Sequence, residues 1–168
     1  LPDDFDPSLA VLAANMETAI NGVWDATPIP AERVTVIGAG VVGALMAWRM
    51  QQVVEARVEL VDVQSERESL ARSLGVGFAL PDEAQNERHI VVHASGTEEG
   101  LVRALELAAD DGRIIEMSWY GDRRVALPLG EGFHSRRLTL KCSQVGAIPP
   151  HMRDRVDFAS RMGIAVDL

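Results

Sequence analysis

Short apolar runs alternate along this chain with longer segments in which apolar residues recur every three or four positions. The runs lie at 33–37, 57–61, 76–80, 89–93, 113–117 and 138–143. Each is almost continuously apolar at its centre, which is typical of parallel strands buried on both faces of a sheet. The alternation of such strands with amphipathic segments predicts the α/β class.

The segments between the runs have the period of amphipathic helices. In the first, Asp6-Pro7 has the form of a helix start, apolar residues follow at helical spacing, and 27–30, with two prolines, ends it. Further helices are predicted over 41–54, from Ser65 to Gly75, from Thr97 to 110–112, and over 153–162. Ser65 and Glu68 have the spacing of a capping box.

The run 34–43 carries the chemistry that most narrows the function. A buried strand ends at Gly38, and Gly40 and Gly43 complete the pattern G-x-G-x-x-G as a helix begins. Asp62 follows the second strand, 19 residues after Gly43. A strand, a glycine-rich turn, a helix and an acid in this order are typical of a βαβ unit that binds a dinucleotide.

Each glycine of this pattern has a separate physical role. Gly38 allows a tight turn, Gly40 allows the backbone to approach a pyrophosphate, and Gly43 allows the helix to pack close to the strand. The helix that begins at Val41 presents free N–H groups and a positive dipole end to the phosphates.

Asp62 indicates which dinucleotide is expected. Its carboxylate would accept hydrogen bonds from the adenosine ribose and repel a 2′-phosphate, so NAD is favoured over NADP. Arg67 weighs against that choice, because an arginine just beyond the strand can bind the phosphate. FAD enzymes use the same motif, and S-adenosylmethionine-dependent methyltransferases use a related one.

Because the glycine motif follows the first strand, we predict a Rossmann fold, with a doubly wound parallel six-stranded sheet in the order 3-2-1-4-5-6. Ligands of such sheets bind at the carboxyl ends of the strands, near the first and fourth. That rule places four segments around one crevice: 38–43, Asp62, 94–97 and 118–121.

Composition excludes several classes. The net charge of −9 argues against a nucleic-acid partner. No apolar run is long enough to span a membrane and no signal segment opens the chain, so we expect a cytoplasmic protein. The single cysteine, Cys142, excludes an internal disulfide framework, and we expect it to be a small buried side chain in the sixth strand.

Metal and hydrolase sites are not indicated. His89 and His93 share one face of a strand but lie about 13 Å apart, too far to bind one metal. We expect ordinary strand-end histidines there and no metal site in this chain. The hydrolase pattern G-x-S-x-G is absent, and 93–96 is the closest stretch to it.

Two further features have competing interpretations. Glu116 lies in an apolar strand, and a strand-end residue turned to solvent is favoured over a paired, buried acid at an interface. Trp119 and Tyr120 form either a packing wedge, which is favoured, or a surface that stacks on the nicotinamide. We assign no catalytic residue to this chain.

The ordered set of segments resembles the cofactor-binding domain of the medium-chain dehydrogenase/reductase family, which includes zinc-containing alcohol, sorbitol and threonine dehydrogenases. The resemblance covers roughly residues 8–147 and rests on 16–19, 36–43, 61–62 with 69–76, 111–115 and 133–143. Where the family often has glycine, this chain has Ser118 after the fifth strand and Cys142 in the sixth.

The resemblance implies roles for particular residues. Val42 would lie near the nicotinamide ring, and Asp62 and Arg67 would hold the adenosine ribose. Ala94, Ser95 and the backbone around Ser118 would line the cofactor channel. Together with the glycine turn, the expected cofactor-binding residues are Gly38, Gly40, Val41, Val42, Gly43, Asp62, Arg67, Ala94, Ser95 and Ser118.

The resemblance also implies how the chain is organised. We expect a leading helix in 1–30, an NAD(P)-binding domain in 31–147 and a helical segment in 148–168 of a truncated chain. The family's catalytic domain, with its zinc and its pocket for a small alcohol or carbonyl substrate, would lie outside this chain. A homodimer through the sixth strand is also implied.

By the same resemblance, the full-length parent would transfer a hydride between the nicotinamide and an alcohol or carbonyl, and this chain alone would be inactive. Three alternatives stay open: a non-catalytic dinucleotide-binding or assembly module, a zinc-free quinone reductase-like member, and a methyltransferase. A methyltransferase would need an antiparallel strand beside the sixth.

Overall fold

The sheet has the predicted composition and order. The computed structural model describes residues 10–55 and 57–168, so the predicted helix start at Asp6-Pro7 lies outside the described residues. All strand pairs are parallel, and the order β3-β2-β1-β4-β5-β6 confirms the predicted fold. The strands are β1 Val34–Ile37, β2 Val58–Val61, β3 Gly77–Ala79, β4 Arg88–His93, β5 Ala108–Glu116 and β6 Thr139–Cys142.

The pairing register brings the carboxyl ends of three strands to one level. Ile37 of β1 lies opposite His93 of β4, which in turn lies opposite Glu116 of β5. Side chains at these strand ends are therefore neighbours across the sheet, although the chain separates them by 23 residues or more. This edge of the sheet is where doubly wound folds bind their ligands.

Helices cover both faces of the sheet. They are α1 Ala13–Ala26, α2 Val41–Val54, α3 Glu68–Ser73, α4 Glu98–Leu107 and α5 Phe158–Asp167. One hydrophobic cluster contains Met46 and Met50 of α2 packed with Leu60 of β2. A second contains Leu101 of α4 packed with Ile114 of β5. Burial of these apolar side chains on both faces explains why the strands read as continuous apolar runs.

Three predicted helix boundaries are wrong. Ser65 lies inside a short 3₁₀ turn and makes no cap, so the capping box with Glu68 does not form. The fourth helix ends at Leu107, three residues early, because the chain there already pairs with β4. The last helix begins at Phe158, five residues late.

The start of the last helix is set by its cap. Asp157 accepts a hydrogen bond from the backbone N–H of Ser160, and the Ser160 hydroxyl accepts one from the backbone N–H of Asp157. This reciprocal pair is a capping box, which satisfies N–H groups that a helix start leaves without partners. The backbone N–H of Ser160 lowers the pKa of Asp157. The spacing of apolar residues in the sequence does not indicate that the helix begins at Phe158.

A polar cluster joins the sixth strand to α1. The Lys141 ammonium lies 2.7 Å from the Asp25 carboxylate, and the Ser143 hydroxyl donates to the same carboxylate at 2.8 Å. Asn21 donates to Asp25 as well, and accepts from Arg161 of α5 at 2.7 Å. The edge strand β6 is exposed at its first and last residues, Thr139 and Cys142, and half-buried between them. The prediction of a buried cysteine is therefore wrong.

Candidate functional site

The turn between β1 and α2 requires glycine at two positions. Gly38 has φ +103°, and a Cβ there would come within 2.7 Å of the Ser95 backbone nitrogen. A Cβ on Gly43 would overlap the carbonyl oxygen of Gly38. In both cases the obstacle is backbone, which cannot rotate away as a side chain could. These contacts fix the tight turn and the close approach of helix to strand.

Gly40 is different, because nothing in the described residues requires a glycine there. Its φ is −72°, which any residue adopts, and within 10–55 and 57–168 no atom lies within 4 Å of a Cβ built there. It caps α2 without a side-chain hydrogen bond, and Val41 beside it is 52% exposed. The first-turn N–H groups of a helix have no acceptor inside the helix. The start of α2 thus leaves both space and hydrogen-bond donors for an anion.

Asp62 closes the glycine turn. One carboxylate oxygen accepts from the backbone N–H of Ala39 at 2.7 Å, and the other accepts from the backbone N–H of Gln64 at 2.9 Å. The two donors hold the carboxylate at the end of β2, beside the turn. Arg67 is exposed, and its Nε lies 3.3 Å from the Gln64 side-chain oxygen.

A crevice of about 610 Å³ opens at this edge of the sheet. Of the predicted residues, Gly38, Gly40, Asp62, Arg67, Ala94 and Ser95 line it. Val41, Val42 and Gly43 form the first turn of α2 next to it, outside the lining. Ser118 also lies outside the lining, and its hydroxyl accepts from the backbone N–H of Gly96 at 3.1 Å. The structure therefore brings most of the predicted residues to one cavity.

Sequence reasoning missed Arg103 in this crevice. Its Nε donates to the Pro81 carbonyl at 3.0 Å, and one terminal nitrogen lies 2.8 Å from the Glu106 carboxylate. Arg103 therefore lines the same crevice as Arg67, and both guanidinium groups are positive charges in a chain whose net charge is −9. No signal in the sequence indicated Arg103, because only the packing of α4 on β4 and β5 brings its side chain to the Pro81 carbonyl.

The largest difference from the sequence interpretation is a buried chain of hydrogen bonds at the ends of β4 and β5. His93 is 0% exposed, and its Nδ1 lies 2.8 Å from a Glu116 carboxylate oxygen. Its Nε2 lies 2.7 Å from the Ser95 hydroxyl, which lines the crevice. Ser95 and Thr97 hydroxyls are 3.0 Å apart. Side chains from two strands thus connect the sheet interior to the crevice.

Further donors surround the Glu116 carboxylate. The backbone N–H of Ser118 donates to one oxygen at 2.7 Å, and the Tyr120 hydroxyl donates to the other at 3.0 Å. Burial raises the pKa of Glu116, but the hydrogen bond and charge of His93, with the Ser118 N–H, outweigh it and the pKa is lowered. Burial and then the Glu116 carboxylate raise the pKa of Tyr120. The carboxylate is therefore held in its ionised, acceptor-only form.

Three sequence interpretations are wrong here. Glu116 is 8% exposed and paired, so the less favoured interpretation, a paired buried acid, is the correct one for its burial. His93 is a buried partner of that acid rather than an ordinary strand-end histidine. Trp119 is 90% exposed and cannot act as a packing wedge, whereas Tyr120 stacks beside the His93 ring. The sequence did contain a signal for this pair, because one titratable residue lies at the carboxyl end of the fourth strand and another at the carboxyl end of the fifth.

Ser95, His93 and Glu116 have the hydrogen-bond order of a nucleophile, base and acid. The base of such a triad must return its proton to a leaving group, so its imidazole has to reach the substrate. His93 has no exposed surface. The arrangement therefore does not favour hydrolysis, in agreement with the missing G-x-S-x-G pattern.

The described residues show neither a metal-binding cluster nor a membrane-spanning helix. Within 10–55 and 57–168, no three His, Cys, Asp or Glu side chains group closely enough to hold a metal ion. Over the same ranges, no helix has the length and apolar content needed to cross a membrane.

Comparison with known proteins identifies the fold. No protein-family model matches the chain, and no curated protein matches it in sequence. Among solved structures, L-idonate 5-dehydrogenase from Escherichia coli has a TM-score of 0.81 and 18% identity, over 99% of this chain and 46% of that chain. A short chain alcohol dehydrogenase from E. coli, complexed with NADH, has a TM-score of 0.80 and 18% identity, over 99% and 49%.

A third similar structure is a zinc-binding dehydrogenase from Sinorhizobium meliloti bound to NADP, with a TM-score of 0.80 and 17% identity, over 99% of this chain and 51% of that chain. At these identities the likeness shows the fold. It confirms the predicted resemblance to zinc-type dehydrogenases at that level. The chain spans about half the length of the structures it matches.

Proposed function

We propose that this chain is the NAD(H)-binding unit of a zinc-type alcohol dehydrogenase-like oxidoreductase of the medium-chain dehydrogenase/reductase family. The observation that carries the proposal is Gly40, where the fold needs no glycine yet the crevice is left open. A pyrophosphate at the start of α2 would occupy that space and accept from the first-turn N–H groups of Val41 and Val42.

The adenosine end of the dinucleotide would lie between the ends of β1 and β2. Asp62 is fixed there by two backbone donors, and its outer face would accept from the ribose hydroxyls. A carboxylate in this position repels a 2′-phosphate, so we propose NAD over NADP. Arg67 and Arg103 on the same crevice limit that preference, because a guanidinium can bind the phosphate.

The reaction belongs to the full-length parent. When bound, the nicotinamide would supply hydride transfer to or from an alcohol or carbonyl, and the protein would orient the ring and exclude water. A catalytic zinc that polarises the substrate oxygen would be held outside this chain. The parent would pair through β6 into a homodimer. A zinc-free quinone reductase-like parent would use the same crevice.

The test compares Gly40 with Gly130, a glycine that has the same open space for a Cβ at another place in the chain. A Cβ at Gly130 also meets no atom within 4 Å, but Gly130 lies outside the crevice. We expect the wild type and Gly130→Ala to bind NADH in a calorimetric titration. Gly40→Ala should fold normally and lose at least tenfold in affinity, about 1.4 kcal/mol.

The control ligand is S-adenosylmethionine, which has no pyrophosphate. Heat from S-adenosylmethionine and none from NADH would replace the proposal with a methyltransferase-like module. Equal NADH affinity of the wild type and Gly40→Ala would also contradict it, because the open space would then bind no phosphate. Melting curves of both variants establish that they are folded.

A further inference from the structure

Neither His93 nor Glu116 lines the crevice in which the dinucleotide is proposed to bind. We propose that these two are positioning residues, which set the hydrogen-bond direction of Ser95 toward a ribose hydroxyl of the dinucleotide. The inference deepens the proposed function and rests on it. Ser95 is the member of the cluster that reaches the crevice, and the pair acts through it.

Glu116 determines one proton of the imidazole. Its two carboxylate oxygens accept from the Ser118 N–H and the Tyr120 hydroxyl, and an ionised carboxylate has no hydrogen to give. The third contact, to His93 Nδ1 at 2.8 Å, therefore requires the hydrogen to be on Nδ1. The imidazole is held in one orientation, with Nε2 aimed at Ser95.

The charge of the imidazole then determines what Ser95 offers to a ligand. When His93 is neutral, Nε2 accepts the Ser95 O–H, and the serine oxygen is left to accept from a ribose hydroxyl. When His93 is protonated, Nε2–H donates to the serine oxygen, and the serine O–H is released to donate to the Thr97 hydroxyl, 3.0 Å away, or to the ligand. A change in the protonation state of His93 inside the sheet would thus reverse the direction of its hydrogen bond with Ser95 at the crevice.

The other groups close to the His93 imidazole come from three parts of the fold. From β5 and the loop after it, they are Glu116, Tyr120 and Arg123, whose guanidinium lies 5.6 Å from the Tyr120 ring centre. From α4, Gly100 comes close to Nε2, and Glu99 lines the same crevice. From β1, the register partner is the apolar Ile37.

Burial of this pair is poorly explained by stability alone. Removing an imidazole and a carboxylate from water has a desolvation cost that their attraction often fails to exceed, and apolar residues would pack these strand ends as well. A polar chain that runs from a fully buried group to a crevice-lining hydroxyl is, however, what positioning of a ligand contact requires.

The test is a binding measurement of the 168-residue chain with NADH, repeated at pH values from about pH 5 to about pH 8. We expect the wild-type affinity to change across this range. Ser95→Ala should bind about tenfold more weakly near pH 8, the loss of one hydrogen bond, and its affinity should vary less with pH. Ser95→Thr, which keeps the hydroxyl, should restore both properties.

Glu116→Gln tests the pair itself. An amide in place of the carboxylate no longer requires the imidazole hydrogen to be on Nδ1, so Nε2 is no longer fixed as the acceptor of the Ser95 hydroxyl. The NADH affinity of Glu116→Gln should therefore fall and its pH profile should differ from that of the wild type, while Ser95 stays in place. The matched control is Ser135→Ala, because Ser135 is exposed and, among the residues that the structure describes, its hydroxyl bonds only to the Glu131 carbonyl. We expect the control to keep the wild-type affinity and profile.

The outcomes separate this inference from the proposed function. A wild type that binds no NADH overturns both. A wild type that binds NADH with a flat pH profile, or that matches Ser95→Ala at every pH, overturns the positioning role and leaves the dinucleotide site intact. The wild-type profile needs no variant, so a variant that fails to fold does not block the test.

Discussion

The glycine turn of 38–43 and the polar cluster of Ser95, His93 and Glu116 lie at the same edge of one sheet but are built in opposite ways. The turn is made from main chain, and its two tight glycines contact backbone. The cluster is made from side chains on β4, β5 and the residues just beyond them. The first is a local structure and the second exists only where two strands pair.

This difference determines how each region tolerates substitution. A Cβ on Gly43 overlaps a backbone oxygen, so no second change of side chain relieves it. In the cluster, the His93 imidazole and the Glu116 carboxylate satisfy one another, so removing the imidazole leaves the buried carboxylate with two donors, the Ser118 N–H and the Tyr120 hydroxyl. Changing both partners together removes the carboxylate as well. We expect single and paired substitutions to separate the two regions.

The largest effect should come from breaking the buried pair on one side. His93→Leu removes the imidazole partner of the Glu116 carboxylate, a residue that is only 8% exposed. The substitution should lower the free energy of unfolding by about 3 kcal/mol. The double variant His93→Leu/Glu116→Leu should recover most of this loss. Urea denaturation measures both, and a double variant as unstable as the sum of the single ones would contradict the comparison.

The next effect concerns the turn and is a change in ligand preference. Asp62→Asn keeps an acceptor for the Ala39 N–H but removes the charge that repels a 2′-phosphate. The ratio of NADH to NADPH affinity should fall by about tenfold, or 1.4 kcal/mol. Asp154→Asn removes the same charge at an exposed position outside the crevice and should leave the ratio unchanged. An unchanged ratio in Asp62→Asn would reject the assigned role.

The smallest effect is the acid dependence of stability. The pKa of Glu116 is lowered in the folded chain, so its ionised form stabilises the fold above the ordinary glutamate pKa of about 4.3. That contribution is lost as pH falls through the lowered pKa. The difference in unfolding free energy between wild type and Glu116→Gln should therefore narrow in acid. The exposed Glu83→Gln should show no such narrowing.

Much of the fold was predictable because it depends on patterns within short segments. Buried parallel strands show as apolar runs, and a turn with φ +103° at Gly38 demands glycine in the sequence. Caps and edge strands were not predictable in the same way. The exposed Cys142 and the late start of the last helix depend on which neighbours each segment meets, and the period of apolar residues does not record that.

The sequence by itself determined the sheet class, the strand order and the glycine turn with Asp62, because backbone conformation and strand burial constrain residues locally. Only the tertiary structure decided that Glu116 is buried, that His93 is its partner, and that Ser95 connects them to the crevice. These residues meet because β4 and β5 pair in the register that sets His93 opposite Glu116. A shift of one residue would turn each side chain to the other face of the sheet.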